Sequence, residues 1–301
     1  MKLSIVTPVY NGEEYIKETI ESVLSQEGDF EVDYIIEDGL STDKTLEIVK
    51  SYEKIINAGQ YPIRCKKITF RWFSEKDLGM YDAIEKGFAH ATGNIYAYIN
   101  ANDAYLPKAF STVNAIFTSY PDVEWAKGIN TTCDEKGNII SEGVCSLYRR
   151  PWLEKGIYGR SAYFVQQESV FWRGSLWKKA CPDIASLHFA GDYALWITFA
   201  QYASLWSFNK RVSVFRKHEG QLSTRFGAYQ LEQEKIAPHN FILEKRVLFF
   251  FLSRRFLKLN PKGVITRILF FVLFPFYKRE WYIDFDTQNN PFKKQASSYL
   301  V

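Results

Sequence analysis

Short apolar runs alternating with helix-period segments fill the first hundred residues, and this rhythm constrains the fold more than any other feature. LSIVTPVY reads as a buried strand and is followed by Ile16, Ile20, Val23 and Leu24 at helical spacing. Asn11 with Glu14 three residues later forms a capping-box pattern, which predicts a helix starting there. VDYIIED, ITFRWFS and NIYAYIN are the next strands, separated by the helical stretches STDKTLEIVKSYEKII and LGMYDAIEKGFAHA. Such alternation predicts an α/β fold built on a doubly wound, mostly parallel sheet flanked by helices. Ligands of these sheets gather beyond the carboxyl ends of the strands. Those ends are residues 7–11, 38–42, 74–79 and 100–103, all rich in polar side chains.

From 107 to 163 the pattern is mixed, with short strands over VEWAKGIN and NIISEG. Further on come a strand over VQQESVFWR, a helix over DYALWITFAQY and a strand over WSFNKRVSVFRKH. Beyond 226 the chain reads as helical, with aromatic clusters interleaved with Lys and Arg. Hydrophobic residues make up 47% and charged residues 24% of the 301, which excludes disorder. Cys65, Cys133, Cys145 and Cys181 form no Cys-x-x-Cys pair, so structural zinc is not expected and the thiols fit a reducing cytosol. No apolar leader precedes the first strand, and no run reaches the ~18–20 apolar residues of a spanning helix. Dinucleotide-binding and P-loop glycine signatures are both missing from the sequence.

The blocks SIVTPVYNGEEYIKETIESVLSQ, EDGLSTDKT and SEKDLGMYDAIEKGFAHATGNIYAYINANDAYLP together resemble glycosyltransferase family 2, most closely its bacterial surface-polysaccharide branch, with the likeness running over about 3–225. That resemblance implies a GT-A fold over residues 1–225, with a nucleotide-sugar-binding half (1–106) and an acceptor-binding, catalytic half (107–225). Residues 226–301 would be a helical aromatic and basic extension. It implies inverting transfer from a nucleotide-diphosphate sugar, UDP-sugar first, to a saccharide acceptor carried on polyprenyl diphosphate. In similar enzymes the positions matching Thr7, Pro8, Tyr10, Asn11 and Glu14 lie along the nucleobase, and Asp38 accepts from the base imide. Plain packing is the alternative for Tyr10. Gly79 and Asp82 would face the diphosphate and the donor sugar. The block Asn100-Ala101-Asn102-Asp103 occupies the family's Asp-X-Asp metal motif, with Asn at both acidic places. Asp103 is therefore expected to be the principal ligand of Mn²⁺ or Mg²⁺, Asn100 and Asn102 assisting or facing the ribose. Asp192 matches the family's general base, and it is also a sensible helix-capping residue. Gln167, Glu168 and Arg216 match acceptor-side positions, and His218 could reach the metal or diphosphate. The two Asn replacements motivate a second reading, a membrane-associated sugar-nucleotide-binding scaffold with lost or weak turnover.

The charge is unevenly placed. Residues 241–301 hold eleven Lys/Arg against four Asp/Glu, a net +7, whereas residues 1–240 hold 27 against 30, a net −3. ILFFVLFPFY is ten apolar residues, too short to span, and is flanked by Arg267, Lys278, Arg279 and Trp281. An interfacial segment on the inner face of the cell membrane is one reading. A helical pair folded onto the catalytic domain, or a homodimer contact, is the other. No nucleic-acid motif accompanies the basic tail.

Overall fold

The computed structural model describes all residues except 222–224, 261–262, 276, 278–279 and 297–301. Lys278 and Arg279, two of the expected flanking cations, thus lie outside the described residues. The strands are β1 (Lys2–Val9), β2 (Gly28–Asp38), β3 (Cys65–Ser74), β4 (Ile95–Tyr98), β5 (Ala104–Tyr105), β6 (Trp125–Ile129), β7 (Thr131–Cys133), β8 (Ile139–Glu142), β9 (Val170–Arg173), β10 (Leu205–Arg211), β11 (Ser213–Arg216), β12 (Trp281–Phe285) and β13 (Pro291–Gln295). The helices are α1 (Ile16–Leu24), α2 (Thr45–Asn57), α3 (Met80–His90), α4 (Ala109–Ser119), α5 (Arg150–Leu153), α6 (Gly174–Ala180), α7 (Gly191–Ala200), α8 (Phe226–Ile236), α9 (Phe241–Phe256) and α10 (Val264–Leu273).

Nine strands form the main sheet in the order β13-β12-β10-β6-β9-β4-β1-β2-β3. Pairing is parallel through β4-β1-β2-β3 and again through β6-β10-β12, while β9 runs antiparallel to both β4 and β6. A smaller sheet, β5-β11-β7-β8, stands beside it. Alternation along β1 divides the core: Leu3, Ile5 and Val9 join the layer containing α1, α2 and α4, whereas Val6 joins the layer with α3 and α7. Gly87 lets α3 approach β1 closely, since a Cβ there would stand 2.5 Å from Val6 Cγ1.

Three local expectations are corrected. Helix α1 begins at Ile16, not after Asn11, and its N-cap Tyr15 makes no side-chain cap. Asn11 instead takes φ 50° and spends its amide oxygen on Thr42 N, 2.8 Å away. The stretch 206–218 is two strands, because the chain leaves the main sheet after Arg211 and enters the small one at Ser213. The C-terminal region is helical through Leu273, but residues 281–295 form a hairpin whose β12 extends the main sheet beside β10.

Candidate active site

The ends of β1, β2 and β3 are cross-tied into one floor. Asn11 N donates to Ser41 Oγ at 2.8 Å, Gly12 N to Thr45 Oγ1 at 2.8 Å and Lys44 N to Glu13 Oε2 at 2.9 Å, which lock the β1–α1 turn to the β2–α2 turn. Asp38 is buried and accepts from Ser41 N at 3.1 Å and Ser74 Oγ at 2.7 Å. A Cβ on Gly39 would fall 2.6 Å from Asp77 Oδ2, so this glycine lets a second carboxylate sit against the strand end. Gly79, at φ 135°, starts α3, and its N–H donates to Asp77 Oδ1 at 2.9 Å. Asp82 accepts from Leu78 N at 3.0 Å and pairs with Lys86 at 3.3 Å.

Not every expected donor residue faces outward. Thr7 is buried, its hydroxyl 3.1 Å from that of Tyr34, and Pro8 is buried in register with Glu37. Their side chains shape the strand exit from behind. Tyr10, Asn11 and Glu14 are exposed, Tyr10 by 66%.

The Asn100–Asp103 turn follows β4. Asp103 is only 1% exposed and turns inward, where Oδ1 accepts from Arg216 N at 2.9 Å. Burial drives its carboxyl well above the usual range, and the nearby Glu168 adds to that, against the pull of Arg216 and Asn100. The Asp103 carboxyl is thus engaged by a buried backbone N–H and turned away from solvent. Asn102 does face His218, Nδ2 to Nε2 at 2.7 Å, while His218 Nδ1 lies 2.8 Å from the carbonyl of Glu219. A proton on Nδ1 bonded to that carbonyl leaves the Nε2 lone pair toward Asn102. Asn100 Oδ1 is buried without a hydrogen-bond partner among the described residues. Among the described residues no cluster of three or more His, Cys, Asp or Glu is placed to hold a metal. The donors here are neutral (two amides and an imidazole), which suits a hard cation only when an anionic ligand shares it. Arg216 is buried beneath them, its guanidinium 2.9 Å from Asn102 O, 2.5 Å from Glu18 Oε2 and 4.9 Å from the Tyr15 ring. It is a strut of the turn.

Asp192 lies in the first turn of α7. Its Oδ1 accepts from Tyr193 N at 2.8 Å, Tyr229 OH at 3.1 Å and Tyr81 OH at 3.4 Å. None of these bonds reaches Oδ2. Burial raises this carboxyl to about 6, held down from higher by the same three donors. Beside it is an apolar cavity walled by Leu153, Tyr158, Phe164, Val165, Trp196 and Tyr229. Gln167 and Glu168 form a 3-10 turn ahead of β9 instead of the expected strand. Both are buried, and Gln167 Oε1, Gln167 Nε2 and Glu168 Oε1 have no hydrogen-bond partner among the described residues. Glu168 stands close enough to Asp103 and Asp192 to couple with each, and burial pushes it up.

Sequence reasoning missed Tyr229, whose role depends on α8 packing on α7, and Lys127, a fully buried cation beside Glu168 whose burial lowers it. It also missed Glu232, which accepts from His188, Phe189 and Ala190 N–H groups at 2.7–2.9 Å and so fixes the approach to Asp192. No periodic or motif signal marks these three. Tyr81 sat in a motif already noticed, and its spacing one residue before Asp82 was the available clue.

A mostly parallel sheet flanked by helices, with polar loops collected past β1–β4, is the architecture of the GT-A fold. Residues 4–138 match the family model described as Glycosyl transferase family 2. An uncharacterised glycosyltransferase of Rickettsia typhi is 24% identical over 234 residues, covering 77% of this chain and 68% of its own. Among solved structures, Staphylococcus aureus TarS 1–349 in complex with UDP-GlcNAc aligns with TM-score 0.57 at 18% identity, over 85% of this chain and 73% of that one. A Pyrobaculum calidifontis mannosyltransferase in complex with GDP-Man and Mn²⁺ aligns with TM-score 0.51 at 15% identity, over 86% and 64%. At those identities the structural likeness establishes the fold. The chain spans between 45% and 68% of the length of the first curated relatives it matches.

Proposed function

We propose that the protein is an inverting glycosyltransferase moving a sugar from a UDP-sugar to a saccharide acceptor on polyprenyl diphosphate, in bacterial surface-polysaccharide synthesis. The observation that carries this reading is Asp192, a carboxylate raised to about 6 whose Oδ1 is held by Tyr229, Tyr81 and the Tyr193 N–H, with no side-chain bond to Oδ2 among the described residues. A base with that value is ionised at neutral pH yet still basic enough to draw a proton in the transition state. Asp192 Oδ2 takes the proton of the acceptor hydroxyl as that oxygen bonds to the anomeric carbon. The bond from that carbon to the diphosphate oxygen breaks, and UDP leaves on the opposite face.

Tyr10, Asn11 and Glu14 line the approach of the base, and the remaining lone pair of Asp38 is the acceptor for its imide. Gly79 and Asp82 close the sugar side from the start of α3. A Mn²⁺ or Mg²⁺ ion, when bound, neutralises the diphosphate and eases its departure. Asn102 and His218, with the partnerless Asn100 Oδ1, are the residues that would hold it, and Asp103 keeps their turn in shape. Gln167 and Glu168 offer unpaired buried polar atoms for the hydroxyls of a sugar. Residues 1–225 carry the reacting groups on this reading, while 226–301 brace Asp192 through Tyr229 and Glu232 and supply the attachment.

The test is Asp192→Asn. Loss of about 10²–10⁴ in turnover with donor binding kept supports the reading. Unchanged turnover overturns it. The all-neutral cation donors and the inward Asp103 favour a second reading, a sugar-nucleotide-binding scaffold with weak turnover. Donor binding without product across a broad acceptor panel would select it.

A further inference from the structure

Helices α9 and α10 are seated on the body by one side only. Val247, Phe250, Phe270 and Phe274 face inward, with Phe250 5.4 Å from Phe270 and Phe274 5.2 Å from Trp152. The opposite side of α10 carries Val264, Ile265, Ile268, Phe271 and Val272, each 56–69% exposed, with no charge among them. On α9, Leu248, Phe249, Leu252 and Phe256 are exposed as well, beside exposed Lys245, Arg246 and Arg255. A continuous apolar face of this kind marks an interaction surface, because a water-facing helix is otherwise polar there.

We infer that the outer face of α9 and α10 docks on an anionic lipid bilayer, lying in the headgroup plane with its aliphatic and aromatic side chains inserted. Charge selects the occupant. Helices α9 and α10 carry Lys245, Arg246, Arg254, Arg255 and Arg267 against Glu244, so two copies meeting through this face would bring like charges together, whereas an anionic leaflet attracts them. Glu244, the one acid on the two helices, is turned toward the body, 3.5 Å from Arg160 and 2.9 Å from His239. Among the described residues no helix is long and apolar enough to cross a membrane, which fits a surface-lying pair.

The same stretch of chain, 152–165, seats these helices with one side and walls the Asp192 cavity with the other. Trp152 and Tyr163 touch Phe274 and Phe251, while Leu153, Tyr158, Phe164 and Val165 line the cavity. Docking would hold the base one layer of side chains from the headgroups. That last point rests on the proposed function; the docking itself does not.

The experiment is flotation of the full chain with vesicles of phosphatidylcholine alone and of phosphatidylcholine with phosphatidylglycerol. At low salt the chain should float with the anionic vesicles about tenfold more than with neutral ones. Flotation should be lost in Ile268→Asp/Phe271→Asp and reduced about tenfold in Lys245→Gln/Arg246→Gln. Absence of flotation, equal flotation on both vesicles, or a wild-type dimer dissolved by the Ile268→Asp/Phe271→Asp change would overturn the inference. A UDP-sugar thermal shift on the same variants separates its failure from failure of the donor reading.

Discussion

The phenol of Tyr229, carried on α8, donates to Asp192 Oδ1 at 3.1 Å, so a helix outside the sheet-forming catalytic region sets the basicity of the candidate base. This donor favours the ionised carboxylate and lowers its value against the upward push of burial. With a folded value of about 6, kcat/KM should climb as pH rises through that point and level off above it. Removing the hydroxyl in Tyr229→Phe should move the acid limb upward by roughly half to one unit, from a bond of about 0.5–1.5 kcal/mol. A pH–rate profile of the two proteins measures this; superimposed profiles would contradict it.

The divided roles of Asn102 and Asp103 predict opposite responses. Asn102→Asp places a charge beside His218 and should tighten Mn²⁺ binding by about tenfold or more in the absence of donor. Asp103→Asn should leave Mn²⁺ affinity nearly unchanged. Asp103→Ala should cost about 1–3 kcal/mol of stability, because Arg216 N loses its acceptor in the interior. Mn²⁺ titration followed by electron paramagnetic resonance, together with denaturant unfolding, reads all three.

Gly191 admits the Tyr81 ring, since a Cβ there would stand 2.5 Å from Tyr81 Cγ. In Gly191→Ala the ring must move off Asp192 or the helix must shift, at about 1–3 kcal/mol. Calorimetry should show a modestly lower unfolding midpoint. Turnover should fall by more than that loss of folded protein explains.

Asp33 anchors β2 to the α3–β4 turn. Burial raises its carboxyl, but hydrogen bonds from Ser4 at 2.7 Å, Thr92 N at 3.0 Å, Arg71 and Thr92 Oγ1 outweigh it and bring the net value below the ordinary one. A lowered folded value means that its stabilisation is complete above the unfolded pKa of about 3.9 and disappears as pH falls through the folded value. Acid unfolding should therefore steepen below about pH 4. Asp33→Asn should flatten that acid dependence and cost about 3 kcal/mol near neutrality, leaving Arg71 without its carboxylate.

The parallel half of the sheet was legible because burial on both faces leaves apolar runs that local pattern reveals, as in β1 and β2. The four polar strand ends were legible for the same reason. What escaped depended on distant packing. Asn11 and Glu14 have the spacing of a capping box, yet the Asn11 side chain is claimed by Thr42, 31 positions away. Asp103 looks like a ligand in a motif, but its direction is decided by the strand carrying Arg216. Residues 281–295 alternate too weakly to announce an edge hairpin, whose partner β10 lies far back in the chain.

That late hairpin orders events during synthesis. Asn209 on β10 meets Asp284 on β12 across 75 positions. At about 5–20 residues per second, the edge of β10 stays open for roughly 4–15 s after it leaves the ribosome. An open edge is a pairing hazard. In the same interval the oily faces of α9 and α10 emerge, ahead of the strand that finishes the sheet. On the docking proposed above, a lipid surface would take hold of the nascent chain before its last sheet contact forms, and attachment would precede completion of the fold.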